Sequence, residues 1–518
     1  MYSPDGRLSI AEFSIFFHSF FNLFCYHCYK LGTISNASPQ GSSPDGERPD
    51  EEMNDENKPA GEMPDGEKPD GEMPPQMSGA SPTFTESDET ITIDISDASI
   101  TKDSQTIGAD DITEGDILQV TLLDNNKVDT VIVITFPGSG AADTSTPVSQ
   151  GSCANTITED GTYTDQTYSS TGDDENALRI DGADVLLDSI TVDKSAGATS
   201  NTESGDFYGM NAALLATDGA DVTIKNATIH SAAQNGNGVF SYGSNTTVTI
   251  SNSEITTTAD NSGGIQTTGG GTVNADGGTY TSNGYNSPAV YSTASISVAN
   301  AVLTAGNSEA LVIEGKNSIS LKDCTVYGNM SDTLGTSSDE NVHNVMIYQS
   351  MSSDADVGTS NFSMTGGSLT SNNGDMFYIT NTACNITLSD VSIVNKTSGG
   401  YLMNICGNSG SHGWGTAGEN GAQVVFTANS QNLSGDIVVD TISTLNMTLK
   451  GNSSFSGTVN IVENTANGTT DNAHAVITIE SGSVWELTGD CTITSLTNNG
   501  TIRFNGYSIT LADGTVLE

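Results

Sequence analysis

Basic residues are scarce in this sequence: 15 Lys and Arg stand against 64 Asp and Glu, for a formal charge of −49. A field of that sign repels nucleic acid and anionic membranes, which both need basic surface. It also disfavours acidic polysaccharides unless a cation bridges them. Cysteine is sparse and odd in number, seven in 518 residues, which excludes a disulfide-dense scaffold. The one CxxC pair is Cys25 and Cys28. Its flanks are apolar and no second ligand pair follows, so no zinc site is expected there. Long apolar runs are missing except for one at 10–29, IAEFSIFFHSFFNLFCYHCY. Arg7 is the lone cation before it, Asp5 offsets that charge, and Glu12 interrupts the run. Either the segment over 1–32 serves as an export signal or anchor, or the natural chain starts elsewhere.

What is abundant is glycine, with 56 residues, together with Thr, Ser and Asn. Such a composition suits β-turns and polar strand faces better than helices. Residues 33–83 form a linker. Eight of the thirteen prolines fall between Pro39 and Pro75, and PAGEM, PDGEK and PDGEM follow one another from Pro59. A stretch of that kind buries no core and stays extended, as a spacer does. Residues 84–137 change character. ITIDI at 91–95 alternates, and the stretch after it reads as two strands joined by a turn at Asp124–Lys127. This segment resembles the small β modules that stand beside repeat domains in bacterial surface proteins.

From about residue 176 the chain repeats a phrase, seen as DVTIKNATI at 221–229, TVTISNSEI at 247–255 and SISLKDCTV at 318–326. Val222, Val248, Ile296 and Ile319 stack at its second position, and Ile224, Ile250, Val298 and Leu321 two residues on. This period of two marks a strand with one buried face. Next come Ser189, Asn226, Asn252, Gly277, Asn300, Asp323, Gly366 and Asp390, mostly residue types that tolerate the left-handed conformation of a sharp corner. Three residues later the chain is apolar again. A further strand precedes each phrase, as in NGVFS at 237–241 and EALVI at 309–313, most often 25 or 26 residues from the next. Three short strands per coil with a polar corner predict a right-handed parallel β-helix over 153–518, each coil burying its apolar face only against its neighbours.

The segment from Trp485, WELTGDCTI and then LTNNGTI at 496–502, resembles the passenger domains of bacterial autotransporters and the adhesin-like β-helix proteins of the pectin-lyase-like superfamily. No translocator barrel sequence and no LPxTG signal follows, so export by a fused barrel is not expected. The superfamily includes pectin-cleaving enzymes, whose resemblance would imply Asn-x-Asp, Asp-Asp, Gly-His-Gly and Arg-x-Lys in that order. Here Asp173-Asp174 lies before the first coil, Gly410-Ser411-His412-Gly413 has the wrong residue ahead of its histidine, and Arg-x-Lys is missing. Asp339-Glu340, Asp354 and Asp356 sit in insertions. A carboxylate pair there is the remaining route to glycan cleavage.

Four insertions, at 193–210, 327–344, 351–360 and 406–420, interrupt the repeat on the two edges of one sheet. Loops around one sheet make a groove. The outward rank of that sheet reads Leu214, Phe240, Gln266, Tyr291, Val312, Ile347, Tyr378 and Asn404, if Ala213, Val239, Ile265, Val290, Leu311, Met346, Phe377 and Met403 point inward. Tyr348 then points inward too. Rungs about 4.8 Å apart would offer aromatic faces to sugar rings, unless the insertions fold over and bury them. Phe240, Tyr291 and Tyr378, with His412 and Trp414 as a groove wall, are the expected ligand-binding residues. The expected function is that of a secreted or cell-surface adhesin-like protein, tethered through its N-terminal segment or free. It would act as a monomer and bind a neutral glycan or a host-surface component without catalysis. No cofactor is expected, although Ca²⁺ fits the acidic surface. The alternative is a polysaccharide lyase or glycoside hydrolase on the same fold.

Overall fold

Alternation within each phrase becomes a wall of parallel strands in the computed structural model. It describes residues 149–331, 341–350 and 355–518, and backbone strands alone within 1–148. The chain falls into two units, 1–136 and 137–518. In the first, Ile117–Leu122 and Val128–Ile134 pair antiparallel as the hairpin read from the sequence. Their seven-stranded sheet also takes Leu23–Tyr26 and Lys30–Ser35. The rest of the apolar segment, the linker between Ser35 and Thr83, and the side chains of Cys25 and Cys28 lie outside the described residues.

The second unit is a right-handed parallel β-helix. Its first sheet has 15 strands, its second 13 and its third nine, and a four-stranded sheet from Asn432 onward takes the third position in the last coils. Within each sheet, strands from successive coils pair in parallel. The second-sheet strands Asp221–Lys225, Thr247–Ser251 and Thr272–Asp276 align residue for residue. Coils start earlier than the phrase shows, with strands at Thr156–Ile157, Gly161–Thr164 and Thr167–Ser170. Asp173-Asp174 therefore lies within the stack and not before it.

Every expected corner residue turns the chain in the left-handed region: Ser189, Asn226, Asn252, Asn300, Asp323 and Asp390 have φ between 47° and 58°, and Gly277 and Gly366 have 72° and 68°. Asn and Asp pay the smallest steric cost there after glycine. Inside the corner, Val222, Ile224 and Ile229 are all 0 % exposed. These three belong to one core cluster that runs the length of the second unit.

The first sheet departs from its expected parity in two places. Leu214 pairs with Leu178 and Val239 on the inward rank, and Leu215 is the residue beside Phe240. Val345 and Ile347 enter the main core, while Met346 and Tyr348 face outward. The reason lies in AALLA and VMIYQ themselves. Both faces of these strands are apolar, so alternation carries no sign of which face is which. Each strand also follows a long insertion, which breaks the count from the preceding coil.

Candidate functional site

The two fully described insertions, 193–210 and 406–420, lie beside the first sheet, and the first of them carries the helix α1 (Thr202–Tyr208). Asn201 caps it by accepting from Ser204 N, and Gly209 at φ 76° ends it. α1 lies over the sheet: Gln266 Nε2 donates to Asp206 O and Thr268 Oγ1 to Phe207 O, both at 2.5 Å. Tyr208 meets Tyr242 edge-on at 5.6 Å. Phe240, beneath, is 0 % exposed and packs with Ala212 and Leu215. It is closed to a ligand.

Further along, Val312, Met346, Tyr348, Tyr378 and Trp414 form a second covered layer with Tyr291 at its edge. Trp414 comes from the 406–420 insertion and rests on Tyr348, ring centroids 4.8 Å apart. Tyr378 and Trp414 are thus brought together, but as a buried layer, 1 % and 4 % exposed. Tyr291 is half-buried, and its hydroxyl donates to Glu314 Oε2 at 2.5 Å. Tyr348 donates to the same oxygen at 3.0 Å, and Ser350 N to Oε1 at 3.2 Å. Glu314, itself 0 % exposed, is held by these three donors. Such a carboxylate fixes the layer to the strand beneath it.

The base of the 406–420 insertion is tied by amides. Asn420 Nδ2 donates to Trp414 O at 2.8 Å, Asn408 Nδ2 to Thr380 Oγ1 at 2.9 Å, and Asp440 Oδ2 accepts from Gly407 N at 2.9 Å. His412 stacks on Trp414 at 5.1 Å and is exposed. Tyr401, 37 % exposed, precedes the strand Met403–Ile405, whose Asn404 is half-buried and shares Asp375 with the Tyr401 amide. Tyr401 and His412 are thus exposed, and Asn404 half-buried, in and around this last rung of the layer.

A row of ionisable side chains borders the layer. Glu309, His343 and Asp375 occupy successive rungs and are 4 %, 1 % and 7 % exposed. Asp375 accepts from Tyr401 N, Asn341 Nδ2 and Asn404 Nδ2 at 2.8, 2.8 and 3.0 Å. His343 Nδ1 meets Asn341 O at 3.0 Å, and its ring lies 5.3 Å from that of Tyr378. A carbonyl only accepts, so Nδ1 carries the proton and Nε2, which has no partner, is the basic edge. Burial holds the imidazole below its ordinary pKa, against the opposing pull of Glu309 and Asp375.

This has a consequence for acid stability. The folded chain keeps His343 neutral at a pH where the unfolded chain already protonates it. Stability is then complete above about pH 6.5, falls as the pH drops from there through the lowered folded value, and levels off below it. His343→Gln is expected to flatten the melting temperature against pH in that window. An unchanged profile in thermal melts would contradict the assignment.

Among the described residues no group of three or more His, Cys, Asp or Glu side chains is placed to hold a metal ion, and no helix is long and apolar enough to cross a membrane. The five described cysteines are free thiols. Burial pushes Cys491 up to about 11 and raises Cys324 and Cys384 as well, which keeps them unreactive. On the second sheet a trough of about 410 Å³ is lined by Thr249, Asn274, Ser297, Ser320 and Lys322. It lacks the aromatic surface of the first sheet.

Fold and site together define a right-handed parallel β-helix whose fully described insertions cover one sheet. Residues 188–362 match the family model described as a right handed beta helix region. No curated protein and no solved structure matches the chain. Glu309, Glu314, His343 and Asp375 had not been singled out from the sequence. The sign that could have found the first two is visible in EALVIE at 309–314, where glutamate brackets four apolar residues.

Proposed function

We propose that this is a secreted or cell-surface β-helix protein that binds carbohydrate or a host-surface component through the rim of its first sheet. The observation that carries this reading is the 406–420 insertion, which locks an aromatic layer of that sheet under Trp414 and leaves His412 exposed, with Tyr401 exposed and Asn404 half-buried nearby in sequence. The saturated hydrogen bonding of Glu314 and Asp375 supports binding over catalysis, because neither carboxylate is left open to a substrate. The field of −49 favours a neutral ligand. Attachment through the N-terminal segment, with the linker as a spacer, belongs to the same proposal.

The test is a glycan array probed with the full chain, with and without EDTA, beside His412→Ala and Tyr401→Ala. Signal from wild type and its loss in both variants supports the reading. A second reading, a polysaccharide-active enzyme, would draw on the Glu309–His343–Asp375 row, whose Nε2 is without a partner but buried. Product release from a polysaccharide by the full chain, abolished in His343→Gln, would replace the first reading with this one.

A further inference from the structure

Lys194 ends the third-sheet strand Thr191–Lys194 and is 0 % exposed. Its Nζ donates to Gly172 O at 2.5 Å and to Ser170 Oγ at 3.3 Å. Ser170 Oγ in turn donates to Glu175 Oε2 at 2.5 Å. Burial lowers the pKa of the amine, against the pull of Glu175, Asp173 and Asp174. A desolvated lysine of this kind has access to its neutral, nucleophilic form.

Asn211 stands across from it, also 0 % exposed. Its Nδ2 donates to Gln234 O at 2.8 Å and Gly197 O at 3.3 Å, while its Oδ1 is buried without a partner. A methyl group placed on Gly197 would lie 2.6 Å from Lys194 Nζ and 3.0 Å from Asn211 Oδ1. A methyl group there would also run into Gly172 O, so the amine and the amide oxygen flank one crowded point that only a glycine, here at φ 129°, lets them share.

We propose that Lys194 and Asn211 join in an intramolecular isopeptide bond. The neutral Nζ attacks Asn211 Cγ, the Nζ–Cγ bond forms, and the Cγ–Nδ2 bond breaks. One Nζ proton leaves through the Ser170 hydroxyl to Glu175, and the departing nitrogen takes up one proton and leaves as ammonia, so no net proton is gained or lost. Atoms and charge balance without an oxidant or cofactor. The buried Oδ1 becomes the carbonyl oxygen of the new amide. The bond closes the first insertion on itself, from Lys194 near its start to Asn211 just after its end, with α1 inside the ring. Asp173 Oδ1 and Asp174 Oδ1 already hold that insertion by accepting from Ala198 N and Ser200 N at 2.8 and 2.7 Å. In a chain whose described cysteines are all free, this amide would be the covalent tie that keeps α1 over Phe240.

Peptide mapping of the full chain by tandem mass spectrometry tests this. The expected result is one branched peptide carrying both Lys194 and Asn211, lighter than its two parts by one ammonia. Lys194→Arg and Glu175→Gln should each give two linear peptides of unmodified mass. Glu175 is half-buried at the rim, so its variant is the control that keeps the fold. Asn211→Asp should restore a branched peptide with loss of water instead of ammonia. Two separate linear peptides from well-folded wild type would overturn the proposal. So would a branched peptide from Lys194→Arg.

Discussion

Trp414→Ala is expected to loosen the covered layer of the first sheet by about 3–5 kcal/mol, the range for deleting a buried tryptophan. The indole is 4 % exposed and touches Tyr348, and the layer beneath it includes Val312, Met346 and Tyr378. The backbone of the insertion should stay in place, because Asn420, Asn408 and Asp440 anchor it without help from the indole. What changes is the roof. Water would reach Tyr348 and then Glu314, whose carboxylate is now held by two phenols and one amide. Hydrogen exchange should rise over His343–Tyr348 and Asp375–Thr380 and stay unchanged beyond residue 430, since each coil contacts only its neighbours. The glycan binding proposed above should fall with it, because His412 loses the ring it rests on. Exchange that stays flat over both strands would show that the indole is not the roof.

How far the sequence could be read follows from what repeats. A corner recurs once per coil and demands one backbone conformation, so Asn226, Asn252 and Asp323 stand out by type and spacing, and each adopts positive φ. The inward ranks of the second sheet recur with polar residues between them, which marks both faces. The first sheet offers no such contrast. Leu214 and Leu215 are both 0 % exposed, one under the core and one under α1, and nothing local tells them apart. The register of Phe240, Gln266, Tyr291 and Val312 was legible because no long insertion interrupts these coils. Their exposure was not. Whether TESGDFY at 202–208 or the segment around Trp414 folds over the sheet depends on contacts tens of residues away, such as Gln266 with Asp206 and Asn408 with Thr380. Polar residues in those contacts look in sequence like any other surface Asn, Asp or Thr. The same limit hid His343, whose significance comes from Glu309 and Asp375 on the rungs to either side.

The C-terminal coils should respond most to Trp485→Ala, again by about 3–5 kcal/mol. Trp485 is 0 % exposed, stacks on Phe455 at 5.9 Å and donates from Nε1 to Gly457 O at 3.0 Å. Alanine removes the ring, leaves a cavity beside Phe455 and strands the Gly457 carbonyl inside. The four-stranded sheet that holds both rings has only three pairings, Asn432 to Ser454, Ser454 to Val484 and Val484 to Thr501. It cannot spread the loss over a long ladder as the first sheet can. In a solenoid, total stability is close to a sum of coil and interface terms, so a loss placed near one end detaches that end. The expected thermal melt is therefore biphasic, an early transition for the coils after about Asn432 and a late one for the rest. Limited proteolysis between the two should trim the chain from its C-terminal side and leave the loop-covered face able to bind. A single cooperative shift of the whole melt would mean that these coils are coupled to the first sheet more tightly than nearest-neighbour stacking allows.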